Sequence, residues 1–362
     1  MRGIFLHIFI LASICACAQS SVYESELKIK GGFGTLIPHR SLMQHLHTGH
    51  AKSFEISYNF NTYGKNPFHS IYNYPQLGIA AGIYDLGNQK DIGLTYAFTP
   101  TISAPFSMNK YLPQLKLGIG LGIVSKPFGT NGSYRNIAIG SHLNAAVLLE
   151  LEKSFQLFEK LKMYYSVSMI HFSNGASTLP NLGLNTITFN IGISYGLKKK
   201  KEIIVSEKQS FDKSIRFTPM IYGGWRENSI HKPTKHAIGV VSLEFSKQIN
   251  QKGNWLFGVD FIYNSSVEHT DELEHLKDYT DYLKKDSNFQ SGIFTGYGLC
   301  FKDIELLIQL GVYTYNQYKD RGMLYQRIGL RKIFNDKLVT NIGLKSHSAV
   351  AEYLEIGIGY RF

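Results

Sequence analysis

Three polar residues in the stretch Met163–Leu197 have the types and spacing for ester hydrolysis. His171 and Ser173 lie two apart in a run where Met163, Tyr165, Val167 and Met169 alternate with Tyr164, Ser166 and Ser168. A period of two puts successive side chains on opposite faces of a strand, so His171 and Ser173 prolong the apolar face. After a turn, Ile187, Phe189, Ile191, Ile193, Tyr195 and Leu197 form the apolar face of a second strand, opposite small or polar residues from Thr186 to Gly196. Asn185 is the first residue on that apolar side. A hairpin would therefore gather all three near one end of one face. Acyl transfer needs a nucleophile, a base to take its proton, and donors for the developing oxyanion. Ser173 is the candidate nucleophile and His171 the base. Asn185 would orient the imidazole through its amide oxygen. Asn174, Asn181 and backbone amides near Gly175 are the candidate oxyanion donors.

The run His171-Phe172-Ser173-Asn174, followed by Pro180-Asn181-Leu182-Gly183-Leu184, resembles the active-site signature of outer-membrane lipid A 3-O-deacylases, the PagL-type acyloxyacyl hydrolases. The resemblance implies an eight-stranded barrel with a His-Ser-Glu triad facing lipid. It places the family's His on His171, its Ser on Ser173 and its Glu on Asn185. That last position departs from the pattern. A Glu orients the imidazole and stabilises its cation, whereas an amide can only orient it. In serine proteases, replacing the triad Asp by Asn costs about 10⁴ in kcat. Glu227, which follows Trp225 on the apolar parity of the next strand, is a candidate substitute carboxylate. It would adjoin the Asn185 strand only in a single large barrel. The implied substrate is an ester-linked (3-hydroxy)acyl chain of lipid A, met in the outer leaflet without extraction. The implied chemistry needs no cofactor.

The whole chain suits such a wall. It has 362 residues, 44% hydrophobic and 18% charged, with 34 glycines and 13% aromatics. No interior apolar run reaches the length of a membrane helix. Weak alternation with many Gly and Tyr fits a transmembrane β-barrel, whose polar lumen masks its membrane character; mean hydropathy is -0.11. A soluble β-sandwich is the bland alternative. Residues 1–18 read as a secretory signal: Arg2, an apolar stretch from Ile4, then Ala16-Cys17-Ala18 before Gln19. Lipidation of Cys17 is the competing reading. Cys300 then has no partner, and no intrachain disulfide is expected. The formal charge of +11 fits either a solvated surface or contact with phosphorylated lipid headgroups. No nucleic-acid module is present. His39, His45, His47 and His50 crowd one loop, but their spacing matches no standard metal site.

Alternating segments recur through residues 19–198, about eight strands by Leu197, with Asp91–Phe98 and Ile137–Leu151 among them and His142 on the polar side of the latter. Residues 199–214, opening on a run of lysines, form a linker or one long turn. Residues 215–362 hold about eight more strands with alternating long and short connections, the pattern of an outer-membrane barrel. Asp271–Lys285 has the charge of a short surface helix. The chain ends on Leu354, Ile356, Ile358, Tyr360 and Phe362, which resembles the closing strand recognised by the barrel-assembly machinery. The endings TFNIGISYGL and YLEIGIGYRF suggest a duplication. The expected fold is all-β: one antiparallel transmembrane barrel of about sixteen strands, or an eight-stranded barrel followed by a second one. A second His-Ser pair, His347-Ser348, reads as lumen packing. The expected activity is removal of an acyl chain from lipid A. The alternatives are a porin or structural barrel that retains the motif, and a phospholipase-type barrel, for which no carboxylate cluster that would bind calcium is evident.

Overall fold

The computed structural model describes residues 23–107, 112–204, 210–230, 233–267, 287–317, 322–348 and 350–362. The candidate signal and the candidate helix at Asp271–Lys285 lie outside these residues. The first eight strands are β1 (Ser25–Ile37), β2 (His50–Asn61), β3 (Gln76–Asp85), β4 (Leu94–Pro105), β5 (Gln114–Val124), β6 (Leu143–Gln156), β7 (Leu161–Ser173) and β8 (Leu184–Gly196). The next eight are β9 (Ile215–Glu227), β10 (Lys235–Asn250), β11 (Gly253–Asn264), β12 (Phe289–Phe301), β13 (Ile304–Tyr315), β14 (Leu324–Phe334), β15 (Leu338–His347) and β16 (Val350–Tyr360). Each strand pairs antiparallel with its chain neighbour. The closures decide the architecture: β8 returns to β1, and β16 returns to β9. The expected strand number is met, but as two closed barrels of eight strands. The single sixteen-stranded barrel is replaced by its alternative, because Ile29 pairs with Ile193 and Ile358 with Ile221, leaving no edge free to join the halves.

The alternation read in the sequence is an inside-outside alternation. Outward residues such as Phe54, Ile79, Leu121, Val167, Phe189 and Ile191 are exposed and apolar. Inward residues are mostly polar, charged or aromatic, with aliphatic ones such as Leu148, Val240 and Ile262 among them. In the first barrel Lys30 and Lys116 interleave with Glu55 and Glu150, with N–O distances from 2.6 to 3.2 Å. Lys28 pairs with Glu152 and Lys162 with Glu26. In the second barrel Arg331 is held by Glu244 and Arg327 by Asp260, among Tyr222, Tyr313, Tyr325 and Tyr353. Eight strands enclose a lumen just wide enough for side chains to fill. Both interiors are packed with buried ion pairs, and each of those charges is compensated by a partner, as a low-dielectric interior demands.

Some boundaries differ from expectation. The fourth strand begins at Leu94, because Asp91 is used in a turn, where its backbone N–H donates to the side-chain oxygen of Asn88. The sixth begins at Leu143, so His142 is not a lumen residue. It is exposed and bonds the carbonyl of Val124 at 3.0 Å. By compactness the chain divides into two units. One contains the residues up to Asn136, His142–Phe172 and Gly183–Glu207; the other contains Ile137–Ser141, Ser173–Leu182 and Lys208–Phe362.

Candidate active site

β7 and β8 pair so that His171 stands directly opposite Asn185. Both occupy the outward parity of their strands, the parity of Met169 and Ile187. The contact that the sequence suggested is made: His171 Nδ1 and Asn185 Oδ1 are 2.7 Å apart. An amide oxygen only accepts, so the imidazole proton sits on Nδ1 in this arrangement. Nε2 is left with a lone pair. Asn185 has a further neighbour. Its amide nitrogen lies 3.0 Å from Nδ1 of His39. The side chains therefore form a chain, His171–Asn185–His39. Gly183 lies beneath the imidazole with a φ of +82°, and a Cβ there would meet Cε1 of His171 at 2.6 Å. This is a place where glycine is required twice, by backbone conformation and by space.

Ser173 is the last residue of β7, two beyond His171 and on the same face. It is buried, and its hydroxyl is engaged by the segment that follows. Asn181 Nδ2 donates to Ser173 Oγ at 3.0 Å and the backbone N–H of Gly175 donates to it at 3.2 Å. Two of the three candidate oxyanion groups thus converge on the serine oxygen. Asn174 does not: its amide nitrogen is committed to Ser141 Oγ and the carbonyl of Thr178, both at 2.8 Å. Asn174 instead ties down the turn, while its own backbone N–H donates to Asn181 Oδ1 at 3.0 Å. Ser173 is not hydrogen-bonded to His171 among the described residues; its hydroxyl donates to Asn181 Oδ1 at 3.2 Å. Catalytic hydrogen bonds commonly form only with substrate in place.

Glu227 is buried and lies elsewhere. Its carboxylate accepts from the backbone N–H of Leu179 at 2.8 Å, and its own N–H donates to the carbonyl of Ala176 at 3.0 Å. The single-barrel adjacency that would have set it beside the Asn185 strand does not arise, since β9 pairs with β10 and β16. Glu227 ties down the backbone of the segment that follows Ser173. In the sequence His39 is one of four loop histidines, and Ser141 and Gly183 carry no signal of a role at the site. Only the register of β1 against β8 brings His39 to the site. Of the other three, His45 bonds the carbonyls of Leu42 and Arg135, His47 bonds Thr35 Oγ1, and His50 opens β2 with its ring 4.8 Å from that of Phe33. Among the described residues no group of His, Cys, Asp and Glu could hold a metal ion.

Comparison with known proteins gives the family. Residues 52–194 match the family model of lipid A 3-O-deacylase (PagL), and residues 215–362 match that of the acyloxyacyl hydrolase C-terminal domain. A search of curated proteins found no match. Solved structures similar to the chain include a mutant of the Rh. blastica porin, at 8% identity over 94% of this chain and 99% of that one, with a TM-score of 0.19. CdiB from Acinetobacter baumannii matches at 9% identity over 95% of this chain and 61% of that one, with a TM-score of 0.20. Scores this low carry no argument. The two family models cover the second barrel, most of the first and the residues His171, Ser173 and Asn185, and the chain belongs to the lipid A 3-O-deacylase (PagL) family of carboxylic ester hydrolases.

Proposed function

We propose that this protein removes an ester-linked 3-hydroxyacyl chain from lipid A, using Ser173 as nucleophile, His171 as base and Asn185 as the group that orients the base. The observation that carries the reading is the 2.7 Å contact between His171 Nδ1 and Asn185 Oδ1. In the neutral imidazole this contact puts the proton on Nδ1 and the lone pair on Nε2, two residues from a serine on the same face.

In the reaction, Ser173 Oγ attacks the ester carbonyl carbon while its proton passes to His171 Nε2. The carbonyl oxygen becomes an oxyanion that the N–H of Gly175 and Nδ2 of Asn181, which donate to Ser173 Oγ in the free protein, would turn to bind once Oγ has joined the acyl carbon. Collapse breaks the bond between the acyl carbon and the sugar oxygen. That oxygen takes the proton from His171 and the acyl group remains on Ser173. Water, deprotonated by the same Nε2, then releases the 3-hydroxy acid and restores the serine. No cofactor enters. Asn185 holds the ring but cannot offset the imidazolium charge, so a slower enzyme than a Glu-bearing relative is expected.

The wall supports an outer-membrane location. The exposed apolar faces of β7 and β8 suit the acyl region of an outer-membrane leaflet, to which an amino-terminal signal would direct the chain. A site on the outer wall meets lipid A laterally. The excess of basic residues suits the sugar phosphates. The porin reading is disfavoured by the lumens, which are filled by ion pairs such as Lys30–Glu150 and Arg331–Glu244. A fluorophosphonate probe tests the nucleophile directly. Covalent labelling mapped to Ser173, and absent in His171→Ala, is expected; a folded protein that takes no label would sink the serine mechanism.

A further inference from the structure

Asn185 is the weak member of the candidate triad, and its second neighbour compensates for part of the weakness. β1 ends at Ile37, which pairs directly with Asn185 across the β1–β8 ladder. His39 follows two residues later. An amide has two chemically different ends, and nothing intrinsic to Asn185 decides which one faces His171. With Oδ1 toward the ring, the imidazole carries its proton on Nδ1 and Nε2 is a base. With Nδ2 toward the ring, Nδ1 must accept, Nε2 carries the proton and the base is lost. The wrong tautomer is what an Asp-to-Asn exchange produces in serine proteases. Here Nδ1 of His39 lies 3.0 Å from Asn185 Nδ2. Where His39 carries its own proton on Nε2 its Nδ1 accepts, and an accepting nitrogen is compatible with only the first orientation.

The placement of His39 is built. The loop that carries it is pinned by Met43 and Leu46, both fully buried. His45 bonds the carbonyls of Leu42 and Arg135, each at 2.8 Å, and His47 bonds Thr35 Oγ1 at 2.8 Å. Only His39 of this group turns to the Asn185 side chain. We propose that His39 is a positioning residue: by accepting from Asn185 Nδ2 it fixes the amide with Oδ1 toward His171, and so allows an Asn to serve where a carboxylate needs no such help. The proposal rests on the deacylase reading for its kinetic consequences, but not for its structural one.

The test is a double-mutant cycle on full-length protein in detergent with purified lipid A. The variants are His39→Ala, Asn185→Glu and their combination, with His39→Gln as the conservative control. His39→Ala is expected to lower kcat about 10- to 100-fold with KM little changed, since misplacing a catalytic group by an ångström costs about 10²-fold. In the Asn185→Glu background the same change is expected to cost nothing, because a carboxylate has no donor end to misplace. His39→Gln, which supplies an acceptor oxygen, is expected to recover part of the loss. Equal losses in both backgrounds would show a merely structural role and overturn the proposal, as would an unchanged kcat in His39→Ala. The second readout is the imidazole ¹⁵N spectrum, with His171 assigned by His171→Gln. Wild type is expected to show the Nδ1–H tautomer and His39→Ala a shift toward Nε2–H; an unchanged tautomer would overturn the proposal. If wild type hydrolyses no lipid A, the deacylase reading falls, and the tautomer measurement still judges His39.

Discussion

The two barrels are alike inside and different outside. Each closes eight strands around a lumen filled with compensated charges. The first uses lysines against glutamates, with Lys116 set between Glu55 and Glu150. The second uses arginines, with Arg331 between Glu244 and Glu305 and Arg327 beside Asp260, under a cluster of tyrosines. On the outside, β7 carries His171 and Ser173 on its outward parity. At the matching end of β15, His347 is buried, and its ring lies 3.1 Å from the hydroxyl of Tyr313. The register between Lys345 and Ser346 shifts there. The same residue types thus do structural work when they face the lumen and are available for chemistry only when they face the wall. Parity, set by a period of two, separates the two fates.

His171→Ala is expected to reduce lipid A hydrolysis about 10⁴-fold, while His347→Ala leaves it near wild type, both read as kcat in detergent. Equal losses would mean that the second barrel takes part in the chemistry. Within the lumens, removing one member of a buried ion network should cost about 3–5 kcal/mol, because the partner is left charged and unpaired. Lys116→Ala and Arg331→Ala are both expected to show it as lower denaturation midpoints in detergent. A neutral result for either would mean that water already reaches that lumen. Gly183→Ala sharpens the view of the site. The added methyl meets Cε1 of His171 and the left-handed backbone resists it, so kcat should fall about 10²-fold with labelling of Ser173 reduced in parallel. The smallest expected effect is a gain. Asn185→Glu should raise kcat about tenfold by stabilising the imidazolium, well short of the ~10⁴ that separates Asp from Asn in serine proteases, because His39 already orients the amide.

Much of this was legible in the sequence. Alternation placed His171, Ser173 and Asn185 on one face, and the β7–β8 register set His171 against Asn185. The number of strands followed from the same pattern. What alternation could not decide was closure. The pairing of Ile29 with Ile193, and not with a residue of β16, is a non-local choice that leaves the local pattern unchanged. The same limit hid His39, which reaches the site through β1–β8 pairing across nearly 150 residues of chain, an order of separation no local period reports. Ile137–Ser141 misled for another reason. It is apolar enough to resemble the start of a strand, but it is used to brace the turn after Ser173, through an isolated bridge between Ile139 and Asn181 and the Asn174–Ser141 hydrogen bond. Glu227 shares the parity of Trp225 but does not serve as the substitute carboxylate that this parity suggests. Its carboxylate binds the N–H of Leu179, a contact to backbone that no side-chain pattern announces.

The most direct measurement is mass spectrometry of lipid A incubated with the purified protein in detergent, beside Ser173→Ala. Loss of one ester-linked hydroxyacyl chain with wild type alone is the expected result. An unchanged lipid A spectrum with folded wild-type protein, or equal deacylation by Ser173→Ala, would contradict the assignment of this wall of the first barrel as a serine-dependent lipid A deacylase.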